Sequence, residues 1–112
     1  MDTSQHHLPE ELPKDVALCL YRIVQEALRN VAKHAMTDVV EVVFSTDPEF
    51  AYLEVRDSGR GFDPSEVQGK PGLGLASMEE RVRLVGGELT VSSEPEKGTS
   101  IAVRIPLPEE DV

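Results

Sequence analysis

Between Asp15 and Ala35 the apolar residues Val16, Leu20, Ile23, Ala27, Val31 and Ala35 recur every three or four positions, with no proline or glycine inside the run. That period predicts one long amphipathic helix. The period then changes. DVVEVVFS (38–45) is β-branched, and FAYLEVRD (50–57) alternates, with Ala51, Leu53 and Val55 on one face and Tyr52, Glu54 and Arg56 on the other. These read as two strands joined in a hairpin across TDPE. A second helix is predicted from about Leu75 to Val85, with Leu75, Met78, Val82 and Val85 as its apolar stripe, Glu79 and Arg83 as an i,i+4 ion pair, and Gly86-Gly87 as its stop. ELTVSS and TSIAVRIPL then pair across EPEKG as a second hairpin. Residues 58–74, which contain Gly59, Gly61, Gly69, Gly72, Gly74, Pro64 and Pro71, form a long irregular loop of the kind that usually carries function. The order helix, hairpin, loop, helix, hairpin, without internal repeats, predicts an α+β sandwich, a largely antiparallel sheet with its helices on one face. The domain is expected over residues 15–107, after a polar linker (1–14) and before a short tail (108–112).

Composition narrows what such a domain can do. The chain has 112 residues, 39% hydrophobic and 29% charged, which fits one globular domain with its own core. The formal net charge of −10 argues against a general nucleic-acid binder and against attraction to an anionic membrane surface. Cys19 is the only cysteine, so an internal disulfide and a cysteine-rich zinc site are excluded, and its apolar helical setting marks an ordinary reduced thiol. No apolar run reaches membrane-spanning length, and MDTSQHHLPEELPKD lacks the apolar region of a signal peptide. A cytoplasmic domain is expected; a membrane anchor of the parent protein would lie outside this chain.

Candidate chemistry falls on four short stretches. On the first helix, Glu26 and Asn30 are i,i+4 neighbours, and Lys33 and His34 extend their stripe along the border of the apolar face. A carboxylate, a carboxamide and an ammonium spaced in this way suit a metal ion with phosphate oxygens, and equally a solvated helix face with an ion pair. Asp57 is in phase with Ala51, Leu53 and Val55, so it points to the core side, where a carboxylate needs a donor. Gly59 and Gly61 clear the turn beside it, and an Asx-type turn is the alternative to a ligand site. In GKPGLGLASMEERV, Gly72 and Gly74 precede a helix whose free amides favour an anion, with Lys70 nearby; a capped helix after a flexible loop is the plainer reading. A dinucleotide-binding fingerprint does not fit, because no strand directly precedes the glycines and no parallel βαβ unit follows. Thr99, in phase with Ile101, Val103 and Ile105, also turns its hydroxyl inward, as a satisfied strand residue or as part of a site.

QEALRNVAKHA, DSGRGF, GLGLASMEERV and KGTSIAVRIPL, in that order, resemble the N box, the two glycine boxes and the Gly-Thr element of the GHKL ATPase superfamily. LYRIVQEALRN, the short lid and the GLxxMxERV pattern resemble, more narrowly, the catalytic ATP-binding domain of bacterial sensor histidine kinases of the nitrate/nitrite-sensor type. The resemblance runs from about Leu12 to Leu107. It implies a Bergerat-type two-layer α/β sandwich with a mixed, largely antiparallel sheet, ATP between the helices and a short mobile lid. Position by position, it implies that Asp57 accepts from the adenine amino group, Gly59 and Gly61 shape the purine pocket, and Thr99 joins the water network at its base. It further implies that Asn30 holds Mg²⁺ and that Glu26 acts as base or positions metal-bound water. Lys33, His34, Lys70, Gly72 and Gly74 would meet the phosphates.

The phosphoacceptor histidine helix of such kinases does not occur in this sequence, and His6 and His7 lie in a polar stretch that does not replace it. The family's strand before the first helix is also missing or truncated. The resemblance therefore implies a monomeric domain that binds ATP and Mg²⁺ but does not autophosphorylate alone. Its partners would be the parent kinase's dimerisation and phosphoacceptor domain and a response regulator. An anti-sigma-factor serine kinase shares the N box and is the nearest enzymatic alternative; a regulatory nucleotide-binding or protein-binding module is the non-enzymatic one.

Overall fold

The computed structural model describes residues 12–35, 39–59 and 74–108. Helix α1 (Lys14–Asn30) continues into a π-helical turn (Val31–Ala35) and leads to strand β1 (Val40–Thr46). Strand β2 (Phe50–Asp57), helix α2 (Leu75–Leu84), and strands β3 (Glu88–Glu94) and β4 (Gly98–Pro106) follow. The four strands form one sheet in the order β1-β2-β4-β3, and every neighbouring pair is antiparallel. The mixed sheet expected from the resemblance is thus an antiparallel one among the described residues.

Alternation decides what the sheet buries. Ala51, Leu53 and Val55 of β2 and Ile101, Val103 and Ile105 of β4 point to one face, where they are buried with Val16, Leu20, Ile23 and Ala27 of α1 and Met78 and Val82 of α2. Leu20, Ile23, Met78, Val82 and Ile105 are the largest fully buried side chains. Truncating Leu20, Ile23, Met78 or Ile105 to alanine typically costs about 2–5 kcal/mol. Among the described residues no polar or charged side chain is fully buried. The opposite sheet face is charged and wet: Arg56 pairs with Glu41 and Glu54, and Arg104 pairs with Glu88 while lying over the Phe50 ring.

The predicted elements are found within a few residues of their expected limits, with two differences of detail. Arg83 pairs with Glu80, three residues away, in place of the expected Glu79. The end of the first helix is π-wound, so its i→i+5 pattern takes up an extra residue and the stripe of Glu26 and Asn30 does not run straight on to Lys33. Cys19 is buried, and burial pushes its thiol up, with Arg81 opposing; it is a packing residue of low nucleophilicity.

Topology collects the irregular backbone at one end of the sheet. Val40, Asp57 and Thr99 form one cross-strand row there. The connection from α1 enters that row at Val40, the segment after β2 leaves it at Asp57, and the β3–β4 turn closes beside it. The other end is closed by the β1–β2 turn. There Asp47 Oδ1 accepts from the amides of Phe50 (2.7 Å) and Glu49 (2.8 Å), and Oδ2 accepts from the Tyr52 hydroxyl (3.0 Å).

The Phe50 amide, then the Glu49 amide and the Tyr52 hydroxyl hold the Asp47 carboxyl below its ordinary value. A depressed carboxyl stabilises the fold above its unfolded-state value, and that contribution is lost as pH falls through the folded value. Asp47→Ala is therefore expected to lower the melting temperature by about a few degrees at neutral pH. In melts followed by circular dichroism from pH 7 down to 3, the gap to the wild type should shrink below about pH 4. A gap that stays constant contradicts this role.

Candidate nucleotide-binding cleft

Asp57 and Thr99 are direct partners in the β2–β4 register, both half-buried and both on the face that the helices cover. The strand phase that buries Val55 and Ile101 brings the carboxylate and the hydroxyl inward together. Asp57 Oδ1 accepts from the Gly59 amide at 2.9 Å, so the Asx-type turn is real and supplies a donor to one oxygen. This leaves the second carboxylate oxygen for other donors. Thr99 Oγ1 lies 2.8 Å from Ser93 Oγ, and Ser93 donates to Gly98 O at 3.1 Å. Gly98 has φ +88°, and a Cβ there would run into the Asp57 carbonyl. The bare backbone of Gly98 is what lets the start of β4 lie against the end of β2.

The helices bring two further parts. Gly74 is the N-cap of α2, in the left-handed conformation at φ +68°, with no side-chain cap. A Cβ on it would overlap Glu26 Oε1 and lie 2.9 Å from Glu26 Cδ. The Glu26 carboxylate thus rests against the amino end of α2, where unpaired amides favour negative charge. Glu26 also faces Arg29, but at 3.9 Å and largely in solvent, where such a pair contributes little. One turn on, Asn30 is half-buried and its carboxamide oxygen is shielded from solvent. Lys33 is exposed. Between α1 and α2 a hollow of about 630 Å³ is lined by Glu26, Ser77, Arg22, Arg29 and Arg81.

The structure therefore brings together Asp57 with Gly59 and Thr99, and Glu26 with Gly74. Asn30 is on the same helix as Glu26, and the chain from Ala35 to Val40 can span at most roughly 17 Å. Gly61, Lys70, Gly72, the lid and the His34 side chain lie outside the described residues. Sequence reading missed Ser93 and Gly98, and it missed the arginines that line the hollow. Ser93 could have been found as the mirror of Thr99 across EPEKG, and Arg22 and Arg29 as residues seven apart on one helix face.

Magnesium fits the oxygen donors of Glu26 and Asn30. Among the described residues no cluster of three or more His, Cys, Asp or Glu is arranged to hold a metal alone. Mg²⁺ commonly takes one or two protein oxygens and completes its shell with phosphates and water.

An antiparallel sheet under two helices, with a carboxylate and a hydroxyl facing inward at one end and a glycine-capped second helix, is a two-layer α/β sandwich. Residues 15–109 match the family of histidine kinase-, DNA gyrase B- and HSP90-like ATPases, and the chain belongs to that family. It is 36% identical over 102 residues to the signal transduction histidine-protein kinase/phosphatase DegS of Brevibacillus brevis. It is 35% identical over 98 residues to the oxygen sensor histidine kinase NreB of Staphylococcus carnosus. These alignments cover 91% and 88% of the chain but only 26% and 28% of those proteins. Among solved structures, the histidine kinase domain of the Erythrobacter litoralis EL346 blue-light activated histidine kinase superposes with a TM-score of 0.71 at 30% identity, over 85% of this chain and 46% of that one. The Acinetobacter baumannii histidine kinase AdeS shares the fold at a TM-score of 0.69 and 16% identity, over 82% of this chain and 47% of that one. The expected GHKL-type ATPase domain, and its narrower likeness to sensor histidine kinases, both hold. No helix among the described residues is long and apolar enough to cross a membrane.

Gly74→Ala combines a left-handed backbone with an overlap on Glu26. The left-handed conformation alone costs a non-glycine residue about 1–2 kcal/mol. The variant is expected to melt lower than the wild type and to bind Mg-ATP at least roughly tenfold more weakly by titration calorimetry. Wild-type affinity in Gly74→Ala would show that the Glu26–Gly74 contact plays no part in the site.

Proposed function

We propose that this chain is the ATP-binding catalytic domain of a two-component sensor histidine kinase. It hands the γ-phosphoryl group of ATP to a histidine on a separate dimerisation domain, from which a response regulator is phosphorylated. The observation that carries this reading is the Asp57–Thr99 row. A carboxylate and a hydroxyl side by side on the covered face, next to the cleared backbone of Gly59, can accept the hydrogens of a purine amino group and its bound water. Gly61 is assigned to the same pocket.

Binding at the other end of the cleft follows from charge. The amino end of α2 at Gly74, with Lys33, His34, Lys70 and Gly72, receives the phosphate chain. Arg22, Arg29 and Arg81 give that side of an acidic molecule a local positive lining. Asn30 and Glu26 would hold Mg²⁺, whose charge would offset that of the phosphates. Glu26 would also be the group that takes up the proton of the attacking imidazole. Phosphoryl transfer needs mainly alignment and charge stabilisation, and these residues supply both. The acceptor histidine comes from the dimerisation domain, so the isolated chain binds nucleotide as a monomer without labelling itself.

Asp57→Asn replaces an acceptor pair with an acceptor and a donor. Titration calorimetry with ATP is expected to show at least a roughly hundredfold loss of affinity; unchanged affinity contradicts the adenine assignment. Asn30→Asp is expected to alter the Mg²⁺ dependence of ATP binding, measured as affinity against metal concentration. An unaltered dependence removes Asn30 from the metal site. Mixing the chain, Mg-ATP and the parent's dimerisation helices should give acid-labile phosphate on those helices. Acid-stable phosphoserine on a protein partner would favour the serine-kinase reading instead.

A further inference from the structure

The α1–α2 hollow extends beyond the phosphate end of the proposed cleft. Glu26 meets Gly74 at the amino end of α2, and Arg81, toward the other end of α2, is close enough to act on the Cys19 thiol, about two turns before Glu26 in α1. The two helices therefore run in opposite directions, and the hollow opens between their outer faces. Arg22 and Arg81 line it from either side. Both are exposed, and neither makes an ion pair among the described residues. Arg22 stands roughly 12 Å before Asn30 along α1, on the side away from the Asp57–Thr99 row. Apolar side chains border the arginines. Of the four large hydrophobic residues exposed among the described residues, three are here: Leu18 (54%), Tyr21 (57%) and Leu84 (76%). Leu18 is one turn before Arg22, and Leu84 is one turn after Arg81, so antiparallel helices put both leucines at the same end of the groove. The Tyr21 hydroxyl accepts from Gln25 Nε2 at 3.1 Å, which lays the ring along the same face of α1.

From this we infer that the α1–α2 groove docks a helix of the acceptor domain, one that carries a carboxylate three or four positions from an apolar residue. The carboxylate meets Arg22 and Arg81, and the apolar residue, one turn away, covers Leu18, Tyr21 and Leu84. A small phosphate ligand has no use for an apolar rim. A nucleic acid is opposed by the net charge of −10. The same net charge repels an acidic helix from most of this surface, so the arginines mark the place where it lands and fix its orientation. Glu26 and Ser77 line the hollow as well, at its phosphate end, so a helix seated there lies beside the group to be transferred. This docking rests on the proposed function above and adds to it the surface and the chemistry by which the acceptor arrives.

The test follows phosphoryl transfer from this chain to the parent's dimerisation domain at saturating Mg-ATP, with the concentration of that domain varied. Arg22→Glu and Arg81→Glu are each expected to raise the KM for the dimerisation domain at least roughly tenfold, the scale of one close charge pair across an interface. The Leu18→Ala/Leu84→Ala pair is expected to raise it roughly threefold or more, while calorimetric affinity for ATP stays at the wild-type value. Added salt should raise this KM more steeply for the wild type than for Arg22→Glu. A KM that neither the arginine nor the leucine variants move overturns the docking surface, and wild-type transfer then leaves the proposed function intact. A leucine pair that loses ATP affinity as much as it gains in KM shows a structural effect and also overturns the docking. Absence of any transfer by the wild type would overturn the proposed function itself, and the docking with it.

Discussion

At the centre of the sheet, Ala51, Leu53 and Val55 face Ile105, Val103 and Ile101 across the β2–β4 ladder, and the same ladder ends with Asp57 opposite Thr99. This register governs the site. A slip of one residue would turn the buried set outward and, by the same motion, separate the carboxylate from the hydroxyl. Packing and chemistry are therefore fixed by a single choice of pairing. The core provides the stability, and the polar row at its end takes its position from that core. At Gly98 the two strands leave no room for a side chain, since a Cβ there would run into the Asp57 carbonyl.

The helices answer to the same core. Leu20, Ile23 and Ala27 anchor α1, and Met78 and Val82 anchor α2. Glu26 and Asn30 follow on the border of the α1 stripe, half in and half out, where a polar group can meet both a ligand and water. At Gly74 the helices come close enough that the Glu26 carboxylate occupies the space of an absent side chain. An anionic side chain at a helix amino end is a favourable arrangement in itself. A phosphate arriving there would compete with Glu26 or share a cation with it, which is why the proposed function includes a metal at that corner.

Much of this was legible in the sequence because burial is periodic. The alternation through Ala51, Leu53 and Val55 extends to Asp57, and that through Ile101, Val103 and Ile105 extends back to Thr99, so the inward direction of both polar groups followed from counting. Their pairing did not, because register across β2 and β4 depends on contacts between strands far apart in the chain. Ser93 was hidden for a related reason: its contacts with Gly98 O and Thr99 Oγ1 depend on the β3–β4 register. The π turn after Asn30 also left no periodic trace, since an extra residue in one helical turn barely disturbs the spacing of apolar side chains. The arginines around the α1–α2 hollow come from two helices and read along the chain as ordinary surface charge.

On the proposed function, the Asp57–Thr99 end of the sheet receives the purine. The most direct measurement is a crystal structure of the chain with Mg²⁺ and a non-hydrolysable ATP analogue. The purine amino group is expected within hydrogen-bonding distance of Asp57, with the phosphate chain toward Gly74 and Asn30. A purine bound away from Asp57, or with its amino group turned from that carboxylate, would contradict it.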